Sequence, residues 1–275
     1  MKKKIKIDFV DFWGGLDKFD NYFYRLLIDE FDVEISSQPD YLFYSVFGNE
    51  NLSYKNCVKI FFSGENIGPD FNNCDYSMCY DYLNDSRHYR LPLYLFYKSY
   101  YNLINKQVDS SLLNRKFCNF IYSNSYCPTR NNFFNKLSNY KKVDSGGRCL
   151  NNIGHLVGDK LEFQSNYKFS ISFENEAYRP NRDGYTTEKI LEPMLVNSIP
   201  IYWGNTLIDK DFNDKSFINY HKFKSEDDLI DYIIFLDQND DKYMEMMTEP
   251  WLINNEIPEV NKIENIKSFL YKIFN

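Results

Sequence analysis

The chain has 275 residues, 43% apolar and 19% aromatic, enough for one large domain or two ordinary ones with well-filled cores. Its formal charge of -7 and sequence pI near 5.1 exclude a general nucleic-acid binder, although a local basic pocket for a phosphorylated small molecule would not show in that sum. After the basic start, Asp8 and Asp11 interrupt the apolar stretch before it reaches signal-peptide length. No later run approaches a membrane span, so a cytoplasmic protein is expected.

In KIKIDFVDF, Ile5, Ile7 and Phe9 alternate with Lys6 and Asp8, the period of two of a strand, and Trp13-Gly14-Gly15 ends it. Further apolar runs, YLFYSVF and VKIFFSG, are separated by polar or helix-length segments, which predicts an α/β layer rather than an all-β sandwich. The second run ends in Gly64-Glu65-Asn66. Ligands of open α/β sheets collect beyond the carboxyl ends of strands, so Glu65 stands where a catalytic carboxylate could act. The cysteines show no C-x-x-C spacing and only three histidines could join them, so neither a zinc site nor a disulfide framework is suggested.

The polar segment KQVDSSLLNRK, 106–116, marks a domain boundary, giving a first domain over 1–112 and a second over 117–250. FCNFIYSN, the helix-like NNFFNKLSNY and the turn DSGGR then restart the pattern. The clearest alternation of the chain follows, with Tyr167, Phe169, Ile171 and Phe173 on one face and Lys168, Ser170, Ser172 and Glu174 on the other. Beyond a loop, Thr186 or Thr187 caps a helix with the apolar face Ile190, Leu191, Met194 and Leu195. Pro193 should kink or end it before the strand IPIYW. Ser225 and Asp228 suggest a capping box before Leu229, Ile230, Ile233 and Ile234. The last segment, 251–275, carries Ile263, Ile266, Phe269, Leu270 and Ile273 at helical spacing and is expected to pack back on the first domain.

Chemistry concentrates in the second domain. The helix start at Thr186-Thr187 offers unpaired amides and the positive end of a dipole, and Lys189 adds a full charge, a combination suited to a diphosphate. Glu188 would repel a phosphate unless it faces elsewhere, and accepting from the vicinal hydroxyls of a ribose is a natural use for it. Arg148, after Gly146-Gly147, is a second candidate for the phosphates, because a Gly-Gly turn lets the backbone approach and a guanidinium holds phosphate oxygens in a fork. Arg130 ranks below these, and Arg179 and Arg182 lie in a loop that is either a lid or solvated. Asp209 and Asp211 superficially match a D-x-D metal motif, but the spacing is common, and no metal site is assigned.

The segment Tyr167–Phe223, with FEN, GYTTEK, SIPIYWGN and DFNDKSFIN, resembles the donor-binding signature of bacterial α-1,3-fucosyltransferases of the Helicobacter type. FFSGENIGPDFNNCDY, RLPLY and SNSYCPTRNNFF extend the resemblance over most of the chain. It implies a GT-B-type α/β fold, two Rossmann-like domains facing each other across a cleft. It also implies inverting transfer of L-fucose from GDP-fucose to the 3-hydroxyl of N-acetylglucosamine in an N-acetyllactosamine acceptor, giving a Lewis X-type product. Glu65 falls on the catalytic-base position, Arg148 and Lys189 on the diphosphate positions and Glu188 on the ribose position, while Asn175 and Tyr185 belong to the same donor pocket. No cofactor is implied, GDP-fucose being a substrate, with a divalent ion left as an optional stimulant. The partners implied are the glycan acceptor and, through a lipid-linked acceptor, the periphery of the inner membrane. The loop Glu176–Gly184 is longer than in such relatives, and the sequence shows no C-terminal heptad repeats or basic amphipathic tail, which leaves oligomeric state open. Transfer of another nucleotide sugar, and nucleotide-sugar binding without transfer, remain as alternatives.

Overall fold

The computed structural model describes residues 2–176 and 183–275. They divide into two compact units, Met1–Phe96 with Pro258–Asn275, and Tyr97–Ile257. Each is built on one sheet in which every pairing is parallel.

The first sheet comprises β1 (Lys4–Val10), β2 (Asp32–Ile35), β3 (Tyr41–Tyr44), β4 (Val58–Phe61), β5 (Tyr76–Cys79) and β6 (His88–Arg90), ordered β2-β1-β3-β4-β5-β6. The alternation read from KIKI holds for the first half of β1. From Asp8 onward both faces are buried, and the Asp8 carboxylate is offset by Lys18 at 2.5 Å and by the amide of Phe9. Helix α1 (Tyr22–Leu27) starts where the Asn21 side chain accepts from the Tyr24 amide, and its Phe23 stacks on Phe43 at 4.9 Å.

The apolar stripe of α7 (Ile263–Phe274) lies on this unit, with Ile266, Leu270, Ile273 and Phe274 buried. Phe274 meets Tyr41 at 4.4 Å and Phe31 at 5.5 Å, the Tyr271 hydroxyl donates to the Leu26 carbonyl, and Lys267 pairs with Asp29. The stripe is thus consumed by the chain's own sheet. Among the described residues no helix is long and apolar enough to cross a membrane.

The second sheet comprises β7 (Lys116–Phe120), β8 (Val143–Ser145), β9 (Tyr167–Phe173), β10 (Ile199–Trp203) and β11 (Ile218–Asn219), ordered β11-β10-β9-β7-β8. Its helices are α2 (Pro128–Tyr140), α3 (Lys160–Gln164), α4 (Glu188–Leu195), α5 (Glu226–Gln238) and α6 (Asp240–Thr248). Strand β9 departs from its two-faced pattern, because all seven residues are buried. A central parallel strand is covered on both faces, so the polar side chains must pair internally. Ser170 meets Ser198 and Asn119, and Lys168 reaches Asp240.

Pro193 lies inside α4, and the helix ends two residues later. The carbonyls of Val196 and Asn197 past that end accept from the Arg115 guanidinium at 2.8 and 2.7 Å. Ser225 caps α5 by accepting from the Asp228 amide. The second unit begins at Tyr97, upstream of the polar segment 106–116, since the 3-10 stretch Lys98–Asn105 packs on α4. Trp251 and Leu252 stay with it as well, the Trp251 ring lying 3.3 Å from the Lys106 ammonium.

His88 makes the stability of the first unit depend on pH. Its Nε2 donates to the Asp81 carbonyl at 2.9 Å, so its Nδ1 accepts from the Ser77 hydroxyl at 2.6 Å in the neutral tautomer. Burial pushes its pKa below the ordinary value of 6.5. The stabilising contribution is present above that value and is lost as pH falls through the depressed pKa, because the unfolded chain then binds the extra proton. The melting temperature should drop between about pH 7 and about pH 5, and His88→Gln should flatten part of that slope. An unchanged slope in the variant would assign the acid sensitivity elsewhere.

Candidate active site

Parallel strands release their loops at one edge, and every candidate of the sequence reading follows the carboxyl end of a strand. In the first unit Glu65 lies in the turn after β4. Ser63 Oγ accepts from the Glu65 amide and donates to its carbonyl, both at 3.0 Å, which closes the turn. The Glu65 side chain is exposed, and its carboxylate makes no hydrogen bond among the described residues.

In the second unit the segment after β9 meets the start of α4 around a carboxylate that the sequence reading placed merely on the polar face of the strand. Glu174 is fully buried. Its Oε1 accepts from the Thr187 amide at 2.8 Å, the Thr187 hydroxyl lies within 3.0 Å of both its oxygens, and the Lys189 ammonium sits 3.3 Å from Oε2. Thr187, not Thr186, caps α4, its hydroxyl accepting from the Lys189 amide. The ammonium is also 2.9 Å from Thr187 Oγ1 and 3.5 Å from Glu188 Oε1, so its three hydrogens already have three acceptors.

Electrostatics follow from this sharing. Burial disfavours the Lys189 charge, yet Glu174 and then Glu188 outweigh it and push its pKa well up. Burial likewise acts against ionised Glu188, but Lys189 and Lys160 prevail and hold its pKa below the usual value. For Glu174 burial prevails over Lys189 and the pKa is raised. A glycine must follow β10, because a Cβ on Gly204 would come within 2.6 Å of Glu174 Cγ.

Asn205, after that glycine, accepts from the Gly184 amide at 3.1 Å and donates to Thr186 Oγ1 at 3.1 Å, tying the segment that carries Tyr185 to the end of β10. Tyr185 is buried. Arg148 follows β8 in the Gly146-Gly147 turn and is exposed. A side chain on Gly147 would strike the Tyr122 backbone, which explains that glycine.

Asn175 is half-buried, and its carbonyl oxygen accepts from Arg130 at 3.0 Å. Arg130 is 0% exposed, lies 3.8 Å from the Tyr122 ring centroid and donates to the Asn124 carbonyl at 2.5 Å. The Tyr122 hydroxyl in turn joins the ends of β7 and β9 through the Phe173 amide and the Ile171 carbonyl.

Of the residues read from the sequence, Glu188 and Lys189 are in direct contact, and Asn175 follows the Glu174 that binds Lys189. Arg148 stands on a separate turn of the same sheet edge, and Glu65 belongs to the other unit. Glu174 and Asn205 were not singled out from the sequence, and Arg130 was ranked below Arg148 and Lys189. The one local signal was a carboxylate ending a strand 13 positions before a threonine cap. Arg179 and Arg182, and most of the loop Glu176–Gly184, lie outside the described residues. Asp211 is buried whereas Asp209 is exposed, and no three His, Cys, Asp or Glu among the described residues gather as a metal-binding group.

The alpha-(1,3)-fucosyltransferase FucT N-terminal domain model matches residues 7–97, and the glycosyltransferase family 10 (fucosyltransferase) C-terminal model matches residues 112–265. Alpha-(1,3)-fucosyltransferase FucT of Helicobacter pylori is 34% identical over 89% of this chain, which spans 60% of that protein's length. A crystal structure of an alpha1,3-fucosyltransferase superposes with a TM-score of 0.87 at 30% identity, over 99% of this chain and 90% of the other. One with GDP-fucose superposes at 0.84 and 28% identity, over 100% and 91%. With two parallel-sheet α/β units, the fold is of the GT-B class.

If Glu174 organises the start of α4, Glu174→Leu should cost about 3–5 kcal/mol in urea denaturation, since it strips partners from a buried ammonium and a cap. Thr187→Ala should cost about 1 kcal/mol, the usual loss of an N-cap. Equal costs for the two would sink this ranking.

Proposed function

The chain belongs to glycosyltransferase family 10, the fucosyltransferases, and from that premise we propose that it is an inverting α-1,3-fucosyltransferase using GDP-fucose. L-Fucose passes to the 3-hydroxyl of N-acetylglucosamine in an N-acetyllactosamine-type acceptor, giving a Lewis X-type unit such as a lipopolysaccharide O-chain carries. The work takes place in the cytoplasm, with the chain at the periphery of the inner membrane where the acceptor is lipid-linked.

The observation that carries this reading is the contact of Glu188 with Lys189 at the capped start of α4, on the same sheet edge at which Asn175 follows β9 and Arg148 follows β8. In the mechanism, Arg148 and Lys189 take the diphosphate, Glu188 accepts from the ribose hydroxyls, and Asn175 and Tyr185 complete the donor pocket. Lys189 exchanges one of its present acceptors for a phosphate oxygen. Release of Glu188 is the exchange that serves both ligand groups, because it frees a carboxylate for the ribose as it opens a donor on the ammonium.

Glu65 takes the proton of the acceptor hydroxyl as that oxygen attacks the anomeric carbon. The bond from that carbon to the phosphate oxygen breaks, and its electron pair leaves with GDP into the positive pocket. A single displacement turns the β-linked donor into an α-fucoside.

The test is GDP release from GDP-fucose with N-acetyllactosamine in EDTA, the product linkage read by NMR. Glu65→Gln should lower kcat by about 10²–10⁴ and leave GDP affinity unchanged. An α-1,3-linked product from wild type that survives undiminished in the variant would remove Glu65 from the mechanism. GDP-fucose binding without any product would favour a binding-only role, a different acceptor or a required metal.

A further inference from the structure

Away from the donor site, the outer edge of the second sheet carries a concave surface of its own. A cavity of about 520 Å³ opens beside β11, the outermost strand, and is walled by α5 and α6. Its volume lies within the range of about 300–1,000 Å³ in which small-molecule sites fall. None of Arg148, Asn175, Tyr185, Glu188 and Lys189 lines it.

The charges of this lining cancel. Lys215, Lys222 and Lys242 are matched in number by Asp214, Glu245 and Glu249. Lys222 pairs with Asp214, Lys242 lies 2.6 Å from Glu245, and one oxygen of Glu249 accepts from the Asn213 side-chain amide at 3.1 Å. Neither an anion nor a cation meets an excess of opposite charge here, which favours an uncharged ligand.

Aromatic rings and unspent polar groups narrow the class further. The centroids of Phe223 and Tyr232 lie 5.4 Å apart, those of Tyr232 and Phe235 lie 6.3 Å apart, and Phe235 is 46% exposed. Asn219 is only 6% exposed, and because the His221 backbone amide can only donate, the Asn219 atom it meets is the oxygen. The Asn219 amide nitrogen has no partner among the described residues, and the Tyr232 hydroxyl and the second oxygen of Glu249 are likewise uncommitted. A donor, an acceptor and a hydroxyl that does both suit sugar hydroxyls, and the C–H face of a sugar ring lies against an aromatic ring by dispersion and by attraction to its negative face. A wholly apolar partner would bury those polar groups unpaired. A peptide strand would find only Ile218 and Asn219 to pair with.

We infer that this groove is a further glycan site, binding an uncharged stretch of oligosaccharide such as repeats of an N-acetyllactosamine chain. Tyr232 and Phe235 take the face of a sugar ring, and Asn219 and Glu249 take its hydroxyls. The choice of that glycan rests on the acceptor reading above, and the experiment separates the two. Met246 also lines the groove, so its methyl group reports on it. The full chain, labelled with methyl-13C methionine and assigned through Met246→Leu, is titrated with a three-repeat N-acetyllactosamine oligomer. The Met246 signal should shift saturably, and Phe235→Ala should weaken that binding on the order of tenfold, the size of one lost aromatic contact. Phe235→Tyr, which keeps the ring, should bind as wild type does.

Fucose transfer to a single N-acetyllactosamine is measured on the same proteins and should be unchanged in Phe235→Ala. A Met246 shift without any transfer would overturn the acceptor reading and leave the groove standing as a glycan site. A Met246 signal that the oligomer does not move, or that moves equally in Phe235→Ala, overturns the inference whether or not fucose is transferred. Tighter binding of a uronate-containing oligosaccharide would overturn the uncharged class. A wild-type dimer that Phe235→Ala dissociates would give the groove to a second copy of the chain instead.

Discussion

The buried carboxylate of Glu174 is the interaction on which the second unit's working edge depends. It stands at the end of the central strand, where a side chain can reach both the neighbouring loop and the helix beyond it. It binds the amide and hydroxyl of Thr187 and the ammonium of Lys189. Without it, the amide and hydroxyl of Thr187 and one hydrogen of the Lys189 ammonium would be buried with no acceptor. The cost of an unpaired buried donor exceeds the modest gain of a satisfied one, so the network is all-or-none. Its backbone is also tied, the Glu174 amide donating to the Trp203 carbonyl at 2.8 Å. One residue thereby aligns the ends of β9 and β10 with the helix start.

Parallel topology explains why so much chemistry is crowded at that edge. Crossover connections cover both faces of such a sheet, which leaves the carboxyl edge as the place where backbone amides, helix starts and loops face solvent together. The side chains there divide the electrostatic work. Lys189 is matched by Glu174 and Glu188 before any ligand arrives, while Arg148 is exposed and Arg130 is buried without a carboxylate. Matched and unmatched cations thus stand along one edge, and positive charge remains there after Glu174 and Glu188 are counted.

The sequence was most legible where local pattern decides structure. The alternation of KIKI and YKFSISF identifies β1 and β9 because side chains of a strand repeat every two residues, and the Thr-Thr-Glu-Lys step identifies α4 because a threonine hydroxyl replaces a missing helical partner. The resemblance carried the family and the two-unit α/β fold. Harder to read were residues whose surroundings are assembled from afar. Arg130 ranked below Arg148 and Lys189 in the sequence, and only the structure shows it buried, held by Asn175, 45 positions on. The polar positions of β9 suggested a solvent face, whereas helices close over both sides and Ser170 finds Ser198 instead of water. The polar run 106–116 suggested a boundary, but the unit is delimited by packing, and Tyr97 onward packs with α4.

Two glutamates at strand ends show what local sequence leaves undecided. Glu65 and Glu174 each follow an apolar run and each precede an asparagine, in GEN and FEN. Glu174 spends both oxygens on Thr187 and Lys189, and its neighbour Asn175 is held by Arg130, so it is committed before any ligand binds. Glu65 closes its turn with backbone atoms alone, through Ser63, and its carboxylate is left exposed. The same residue type beyond the end of a strand is therefore left open or committed according to whether the next helix start bends back to bind it.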